Sequence, residues 1–289
     1  MKRILLIGAA LLVAAPVFGE TAEQKKASIA YLQKLQNKDG GFRPSAAVET
    51  SSLRATSSAL RALKYFGGEA PDRAAAAAFV KSCHDKATGG FADAPGGKPD
   101  VAITAVGIMA VVEVKLPTEP YEAGVIKYLG ENVKTFEDVR IGIAGLEALG
   151  KKTPPNEKWM ERVIEMLNSG PAGDGAARDT GGAMVALMRM GFKVNPGAER
   201  SALSRLNEGQ RKDGGFGKAD VAGSDLETSY RVMRCYHMLK KQPDKAVKLR
   251  EFVAKCRNDD GGYGIAPGEK SAVGPTYFAS IILHWLDEK

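Results

Sequence analysis

The chain has 289 residues, of which 44% are apolar and 26% are charged, and it carries a formal net charge of +7 at pH 7. Its lysines and arginines are spread among acids, without the concentrated basic patch and motif of nucleic-acid-binding domains, so we expect no nucleic-acid partner. Three cysteines, Cys83, Cys235 and Cys256, are too few for a disulfide scaffold. We expect the three thiols to be buried structural groups, and the alternative that the sequence leaves undecided is a disulfide between two of them.

The first predicted element is a secretory signal peptide over residues 1–19. Two basic residues precede an apolar run from Ile4 to Phe18, and small residues follow around Gly19. This run is shorter than the roughly 18 residues that a membrane-spanning helix needs, whereas it suits a cleavable export signal. We therefore expect a mature chain that begins near Glu20, is exported to a periplasmic or secreted location, and keeps no stable membrane anchor.

A glycine turn followed by an aromatic residue recurs along the rest of the chain. The copies read NKDGGF, KATGGF, RKDGGF and NDDGGY, and they end at Phe42, Phe91, Phe216 and Tyr263. Two degenerate units, KTFEDVRIGIAGLEALG and GDGAARDTGGAMVALMRMG, fill the interval between the second and third turns. Six units of about 45 residues therefore account for the chain after the signal peptide, a period typical of repeat proteins.

Each unit is predicted to be a helix hairpin. Before the last turn, four apolar residues, Leu249, Phe252, Val253 and Cys256, recur at i, i+3, i+4 and i+7, which is one face of an α-helix. The double glycine supplies positive φ for the turn. The second helices are the richer in apolar and small residues, as an inner ring requires. We therefore predict an all-α fold: an α6/α6 toroid of about twelve helices in two concentric rings, forming a single domain over residues 20–289.

Three stretches carry a resemblance to a known superfamily. They are CHDKATGGFADAPGGKPDVAIT from Cys83, DLETSYRVM from Asp225 and CRNDDGGYGIAPGEKSAVGPTYFAS from Cys256. They resemble the prenyltransferase and terpenoid-cyclase repeats, and most nearly the β subunits of protein prenyltransferases such as Rab geranylgeranyl transferase. The resemblance covers all six units and implies an α/α toroid. Because one fold supports many functions, the functional residues of the family must be compared with this chain position by position.

The resemblance also implies a catalytic zinc ion that activates a thiolate. In the family, an aspartate, a cysteine two residues later and a histidine in the next unit bind the metal. The corresponding positions here are Asp225, Glu227 and Pro275, so only the aspartate matches. The family's diphosphate-binding positions carry Ala219, Ala222 and Thr228. We therefore predict no metal and no other cofactor, and expect zinc only if the chain is a divergent enzyme.

The segment around Asp225 has a second interpretation. Ser224 to Glu227 form the pattern S-x-x-E, which is typical of a capping box at a helix N-terminus. In that interpretation Ser224 caps the helix and Glu227 bonds back to the Ser224 amide. Asp225 and Glu227 are then helix-start residues, and they remain candidate catalytic residues only under the enzyme hypothesis.

Two second helices carry the candidate ligand-binding residues. Arg231 and Arg234 lie beside Tyr230 on the fifth, whereas Arg54 and Arg61 lie on the first. Where such arginines face a lumen they bind anions, because guanidinium forks suit phosphate and carboxylate. The alternative is that these side chains extend to the rim or pair with the acids near position 225.

Two functions follow from these patterns. The first is an exported toroid without catalysis, which binds an apolar or isoprenoid-like ligand or a protein partner. The second is a divergent prenyltransferase-type enzyme, similar to geranylgeranyl transferase β subunits, that uses Asp225 and Glu227 as altered metal ligands or acid–base groups. We expect the first, because the fold is shared more widely than the chemistry.

Overall fold

The computed structural model describes residues 19–150, 157–169 and 175–288. These residues form twelve α-helices and no β-strand, which confirms the all-α prediction. The helices are α1 Ala22–Gln33, α2 Leu53–Phe66, α3 Arg73–Ser82, α4 Val101–Glu113, α5 Glu119–Asn132, α6 Phe136–Ala148, α7 Glu157–Ser169, α8 Ala176–Arg189, α9 Pro196–Glu208, α10 Leu226–Met238, α11 Ala246–Lys255 and α12 Val273–Asp287. The predicted signal peptide, apart from Gly19, lies outside the described residues.

The even-numbered helices form a closed inner ring. Each packs against the next, and α12 packs against α2, so the last repeat returns to the first. The odd-numbered helices pack around this ring, for example α5 on α4 and α9 on α8. Small residues allow the inner helices to approach closely: a Cβ added to Gly145 of α6 would lie 2.9 Å from the Ala105 Cα of α4. This arrangement confirms the predicted α6/α6 toroid.

The recurrent glycine turns join outer to inner helices through the same contacts. Their first glycines, such as Gly261 with φ +90°, adopt the left-handed conformation that favours glycine. The aromatic residue of each turn is fully buried, and its amide donates to a hydroxyl on the following inner helix. These pairs are Phe42–Thr56, Phe91–Thr104, Phe216–Ser229 and Tyr263–Thr276. The hydroxyl satisfies a buried amide that would otherwise cost about 1–3 kcal/mol.

Neighbouring turns are hydrogen-bonded around one end of the ring. First-turn amides of three inner helices donate to carbonyls of an adjacent unit: Leu53 to Asp93, Leu226 to Ile265 and Val273 to Pro44. The last of these bonds joins the sixth unit to the first. The N-termini of these inner helices therefore lie at the same end, which we call the upper rim.

The start of α10 corrects the predicted capping box. Asp225, not Ser224, is the N-cap, and its Oδ1 accepts the Thr228 amide at 2.7 Å. Glu227 does not bond back to the Ser224 amide, because its carboxylate pairs with Arg231 at 2.6 Å. The S-x-x-E pattern was therefore misleading by one residue.

The serine that precedes each of these inner helices binds the turn. Its hydroxyl donates to the turn aspartate at 2.7–2.8 Å in three units: Ser51 to Asp39, Ser224 to Asp213 and Ser271 to Asp260. The same aspartate accepts the amide of the second glycine in each turn. Because the turn occupies this serine, the capping position moves one residue further along the chain.

The three cysteines, Cys83, Cys235 and Cys256, are buried free thiols, as the composition suggested. Burial disfavours the charged thiolate and raises the pKa of each thiol to about 12. They are therefore packing residues rather than nucleophiles. None of the helices in the described ranges has both the length and the apolar character that a membrane span requires.

Candidate functional site

The inner ring encloses a cavity of about 880 Å³, which we call the lumen. Its lining begins at turn residues of the upper rim, including Thr50 and Asp93, and continues down the inner helices to Arg61 and Arg189. This volume lies within the range of small-molecule binding sites. The centre of the toroid is therefore open rather than filled by side chains.

One part of the lumen wall is apolar, although charged side chains of α6 and α8 line the lumen beside it. It is formed by Val106 and Met109 of α4, Ile141 and Ala144 of α6, and Val185 of α8, which together we call the apolar wall. The opposite side is formed by α2, α10 and α12 and carries arginines and aromatic rings. The lumen thus offers two chemically different surfaces to one ligand.

Near the upper rim, an ionic network surrounds Glu137 of α6. Its carboxylate accepts from Arg140 at 3.0 Å and from Arg231 at 2.8 Å, and Arg178 lies 3.5 Å away. Arg231 reaches from α10 to α6 and also holds Glu227. Burial raises the pKa of Glu137, but the three guanidinium groups outweigh burial and leave that pKa below its ordinary value. The carboxylate of Glu137 is therefore charged and engaged.

Deeper in the lumen, Arg61, Arg234, Tyr230 and Tyr277 line the cavity. Trp285 is buried behind Arg234 and Tyr230, and we call these five side chains the floor cluster. The Arg61 guanidinium lies 4.4 Å from the Tyr277 ring centroid, and that of Arg234 lies 4.6 Å from the Trp285 ring. Arg234 also donates to the Tyr230 hydroxyl at 2.9 Å. These cation–π and hydrogen-bond contacts fix both guanidinium groups in place.

The two phenols of the floor cluster influence each other's ionisation. Their hydroxyl oxygens are 3.4 Å apart. At Tyr230, burial raises the pKa but Arg234 and Arg61 outweigh burial and lower it. At Tyr277, burial and the neighbouring Tyr230 raise the pKa. The pair therefore releases its first proton more readily than an isolated phenol and retains the second.

The structure places the predicted ligand-binding residues at two depths. Tyr230, Arg231, Arg234 and Arg61 line the lumen below the upper rim, whereas Arg54 lines the mouth and is otherwise exposed to solvent. Arg231 also follows the alternative that the sequence left open, because it pairs with an acid of its own helix. A ligand-binding role for these residues stays a prediction.

The positions of the family's zinc ligands do not form a donor set. Asp225 is occupied on both carboxylate oxygens, by the amide and the hydroxyl of Thr228 at 2.7 Å each. Glu227 pairs with Arg231, and Pro275 has no donor atom. In the ranges that the structure describes, no group of three His, Cys, Asp or Glu side chains is arranged to bind a metal. These residues therefore do not fit the zinc ion that the family implies.

Sequence reasoning missed a large part of the charged lumen. Arg140 and Glu147 of α6 and Arg189 of α8 line it, and Arg189 pairs with Glu147 at 2.8 Å. A signal was present, since Arg140 and Arg189 lie in the small, apolar stretches VRIGIAG and AMVALMR of the degenerate units. The side chain of an arginine in such an inner helix extends either into the lumen or toward the end of the helix.

Comparisons with known proteins agree with this architecture. The family model described as the prenyltransferase alpha-alpha toroid domain matches residues 5–73, 67–117 and 141–289. No curated protein sequence matches the chain. A solved crystal structure of a protein from Actinoplanes shares the fold, with a TM-score of 0.59 and 13% identity over 92% of this chain and 99% of that chain. Because the family model covers most of its length, the chain belongs to the prenyltransferase alpha-alpha toroid domain family.

Proposed function

We propose that this chain is an exported binding protein whose lumen holds an apolar, isoprenoid-like ligand, and that it does not use zinc-dependent prenyl transfer. One observation carries the proposal: an open lumen of about 880 Å³ with an apolar wall lies in a chain whose zinc-ligand positions lack a donor set. The toroid and its family membership are compatible with either a binding protein or an enzyme, so the support for this proposal comes from the site.

The apolar wall supports a ligand with a hydrocarbon portion. Helices α4, α6 and α8 present the side chains of Val106, Ile141 and Val185 to the lumen, and the cavity leaves their luminal faces uncovered by other protein atoms. Covering such surface gains about 25 cal/mol per Å², so a tail that buries about 200 Å² contributes about 5 kcal/mol before the entropic cost of binding. A protein segment with apolar side chains is the other ligand of this kind.

The engagement of Asp225 and Glu227 argues against the divergent-enzyme alternative. A carboxylate that caps a helix with both oxygens contributes about 1 kcal/mol to stability, and moving it to a metal forfeits that contribution. Glu227 is held by the buried guanidinium of Arg231, which would lose a partner if Glu227 turned away. Both carboxylates are thus engaged within the protein, and an enzyme that used them would first have to give up these contacts.

Purification without chelators tests the proposed absence of zinc chemistry. We expect no stoichiometric zinc by elemental analysis, and an unfolding temperature that a chelator leaves unchanged. Asp225→Ala should lower the stability by about 1 kcal/mol through the lost cap without changing the metal content. Stoichiometric zinc that disappears in Asp225→Ala would overturn the proposal.

The same preparation tests the luminal ligand. Organic extraction and mass spectrometry should recover an isoprenoid or another lipid at a ratio approaching one per chain. An empty preparation is then titrated with farnesol, for which we expect saturable binding. If no lipid is recovered and farnesol does not bind, the lumen is not an isoprenoid site, and a protein ligand becomes the better proposal.

Export is tested by the mass of the protein recovered from a host with a secretion pathway. We expect a mature N-terminus near Glu20 in the exported fraction. The side chain of Thr21 caps α1, so cleavage at this point leaves every described helix intact. A full-length chain that stays in the cytoplasm would contradict the proposed location.

A further inference from the structure

The positive charge of the lumen is balanced near the upper rim. Arg140, Arg178 and Arg231 are the guanidinium groups of the Glu137 network, and three carboxylates meet them. These acids are Glu137, Glu227 and Asp179, which lies 3.2 Å from Arg178. Every cation of the network therefore has an anionic partner supplied by the protein.

The floor of the lumen is not balanced in this way. Arg189 pairs with Glu147, but Arg61 and Arg234 have no carboxylate partner among the described residues. The polar contact of Arg61 is a weak one, from Nη1 to the Met109 sulfur at 3.7 Å, and that of Arg234 is the Tyr230 hydroxyl. Two guanidinium groups thus remain without a carboxylate counter-ion deep in the lumen, and the ionisable groups beside them are the phenols of Tyr230 and Tyr277.

Such an arrangement is costly for a protein without a ligand. Desolvation of a buried charge costs several kcal/mol, and here the groups that offset it are phenols rather than carboxylates: Tyr277 and Tyr230 keep the pKa values of Arg61 and Arg234 above their ordinary value. The positive charge of these arginines alters the pKa of neighbouring groups. Burial and then Arg234 lower the pKa of Arg189, and Arg234 and Arg61 lower the pKa of Tyr230 against the effect of burial. An anion placed between Arg61 and Arg234 would relieve this repulsion.

We propose that Arg61 and Arg234 form an oxyanion-binding subsite that holds the carboxylate or phosphate head of an amphipathic ligand at the floor of the lumen. This inference rests on the proposed luminal binding function and adds the class and orientation of the ligand. The head lies between the two guanidinium groups near the Tyr230 hydroxyl, and the hydrocarbon tail extends along the apolar wall toward the mouth. Guanidinium groups that ring stacking already holds in place lose little freedom on binding, which favours affinity.

Three twelve-carbon probes distinguish the contribution of the head group from that of the tail. Dodecanoate, dodecyl phosphate and dodecanol are each titrated into the ligand-free protein by calorimetry. We expect at least one anion to bind about 100-fold more tightly than dodecanol, since two charge-assisted interactions each contribute about tenfold or more. The tighter of the two anions identifies the head group. Arg61→Gln and Arg234→Gln should each reduce that preference about tenfold or more, and dodecanol should bind all variants alike.

Arg200→Gln is the matched control, because it removes the same charge from an exposed position on the outer helix α9, away from the residues that line the lumen. It should leave the anion preference within about twofold of the original, since exposed charges are screened by salt. The near-ultraviolet absorbance of the phenolate gives an independent signal, because anion binding should raise the pKa of Tyr230. A variant that had lost only packing would not alter the preference between dodecanoate and dodecanol.

The outcomes distinguish the subsite from the luminal function. If dodecanol binds as tightly as both anions, or if Arg200→Gln removes the preference for an anion while Arg61→Gln keeps it, the floor subsite is wrong and the lumen still binds hydrocarbon tails. If none of the twelve-carbon probes binds but inorganic phosphate binds and Arg61→Gln abolishes that binding, the subsite stands without the proposed function. If neither amphiphiles nor phosphate bind, both proposals fail.

Discussion

Gly274→Trp is expected to weaken farnesol binding by more than about 100-fold, because the indole fills the mouth of the lumen. Gly274 lies in the first turn of α12 and lines the lumen, and a Cβ added there meets no atom within 4 Å. The substitution therefore fits the helix and occupies ligand space. Excluding about 120 Å² of tail surface from the apolar wall costs about 3 kcal/mol, which is more than 100-fold in affinity.

Gly130→Trp is the matched control for this prediction. Gly130 lies in the outer helix α5, is exposed, and likewise has open space around an added Cβ. It should bind farnesol as the unchanged protein does, and both variants should unfold at similar temperatures. Ser58→Trp, on α2 at mid-depth of the lumen, is a second obstruction. If farnesol binds Gly274→Trp and Ser58→Trp as well as Gly130→Trp, the ligand does not enter the lumen.

The fold was predictable because its determinants are local and repeated. A left-handed glycine, a buried aromatic and an inner-helix hydroxyl recur at nearly constant spacing, as in Gly261, Tyr263 and Thr276. Each copy provides the same bonds, so a pattern seen several times predicts the junction with little dependence on distant residues. The capping box failed at the same junction because the turn aspartate competes for the serine, a contact that the S-x-x-E pattern does not encode.

The site was only partly predictable, because its contacts join helices that are distant in the sequence. Arg231 and Glu137 are separated by 94 positions and meet across the ring through a 2.8 Å bond. The sequence left open whether Arg61 and Arg234 face the lumen or extend to the rim, and the absence of a carboxylate near them depends on what α4, α8 and α12 present. Single-helix periodicity carries no information about such neighbours, so the floor cluster emerges only from the assembled ring.

Gly261→Ala is expected to destabilise the protein by about 2–5 kcal/mol, because it meets two separate obstacles. The left-handed conformation, with φ +90°, costs an alanine about 1–2 kcal/mol. The added Cβ would also lie 2.5 Å from the carbonyl oxygen of Ala27 in α1, and such overpacking costs about 1–3 kcal/mol more. For a chain of this length, we expect the midpoint of thermal unfolding to fall by about 5–15 °C.

Gly67→Ala separates the two obstacles. Gly67 ends α2 with φ +83°, but an added Cβ there meets nothing within 4 Å, so only the conformational cost of about 1–2 kcal/mol remains. The difference in unfolding free energy between the two variants measures the cost of crowding the contact between the last turn and α1. In that contact Ser28 also donates to the Gly261 carbonyl at 2.7 Å. This contact joins the sixth unit to the first. Equal destabilisation in denaturant unfolding would show that it contributes nothing to ring closure, whereas a larger loss in Gly261→Ala would identify the turn as a point where the toroid closes.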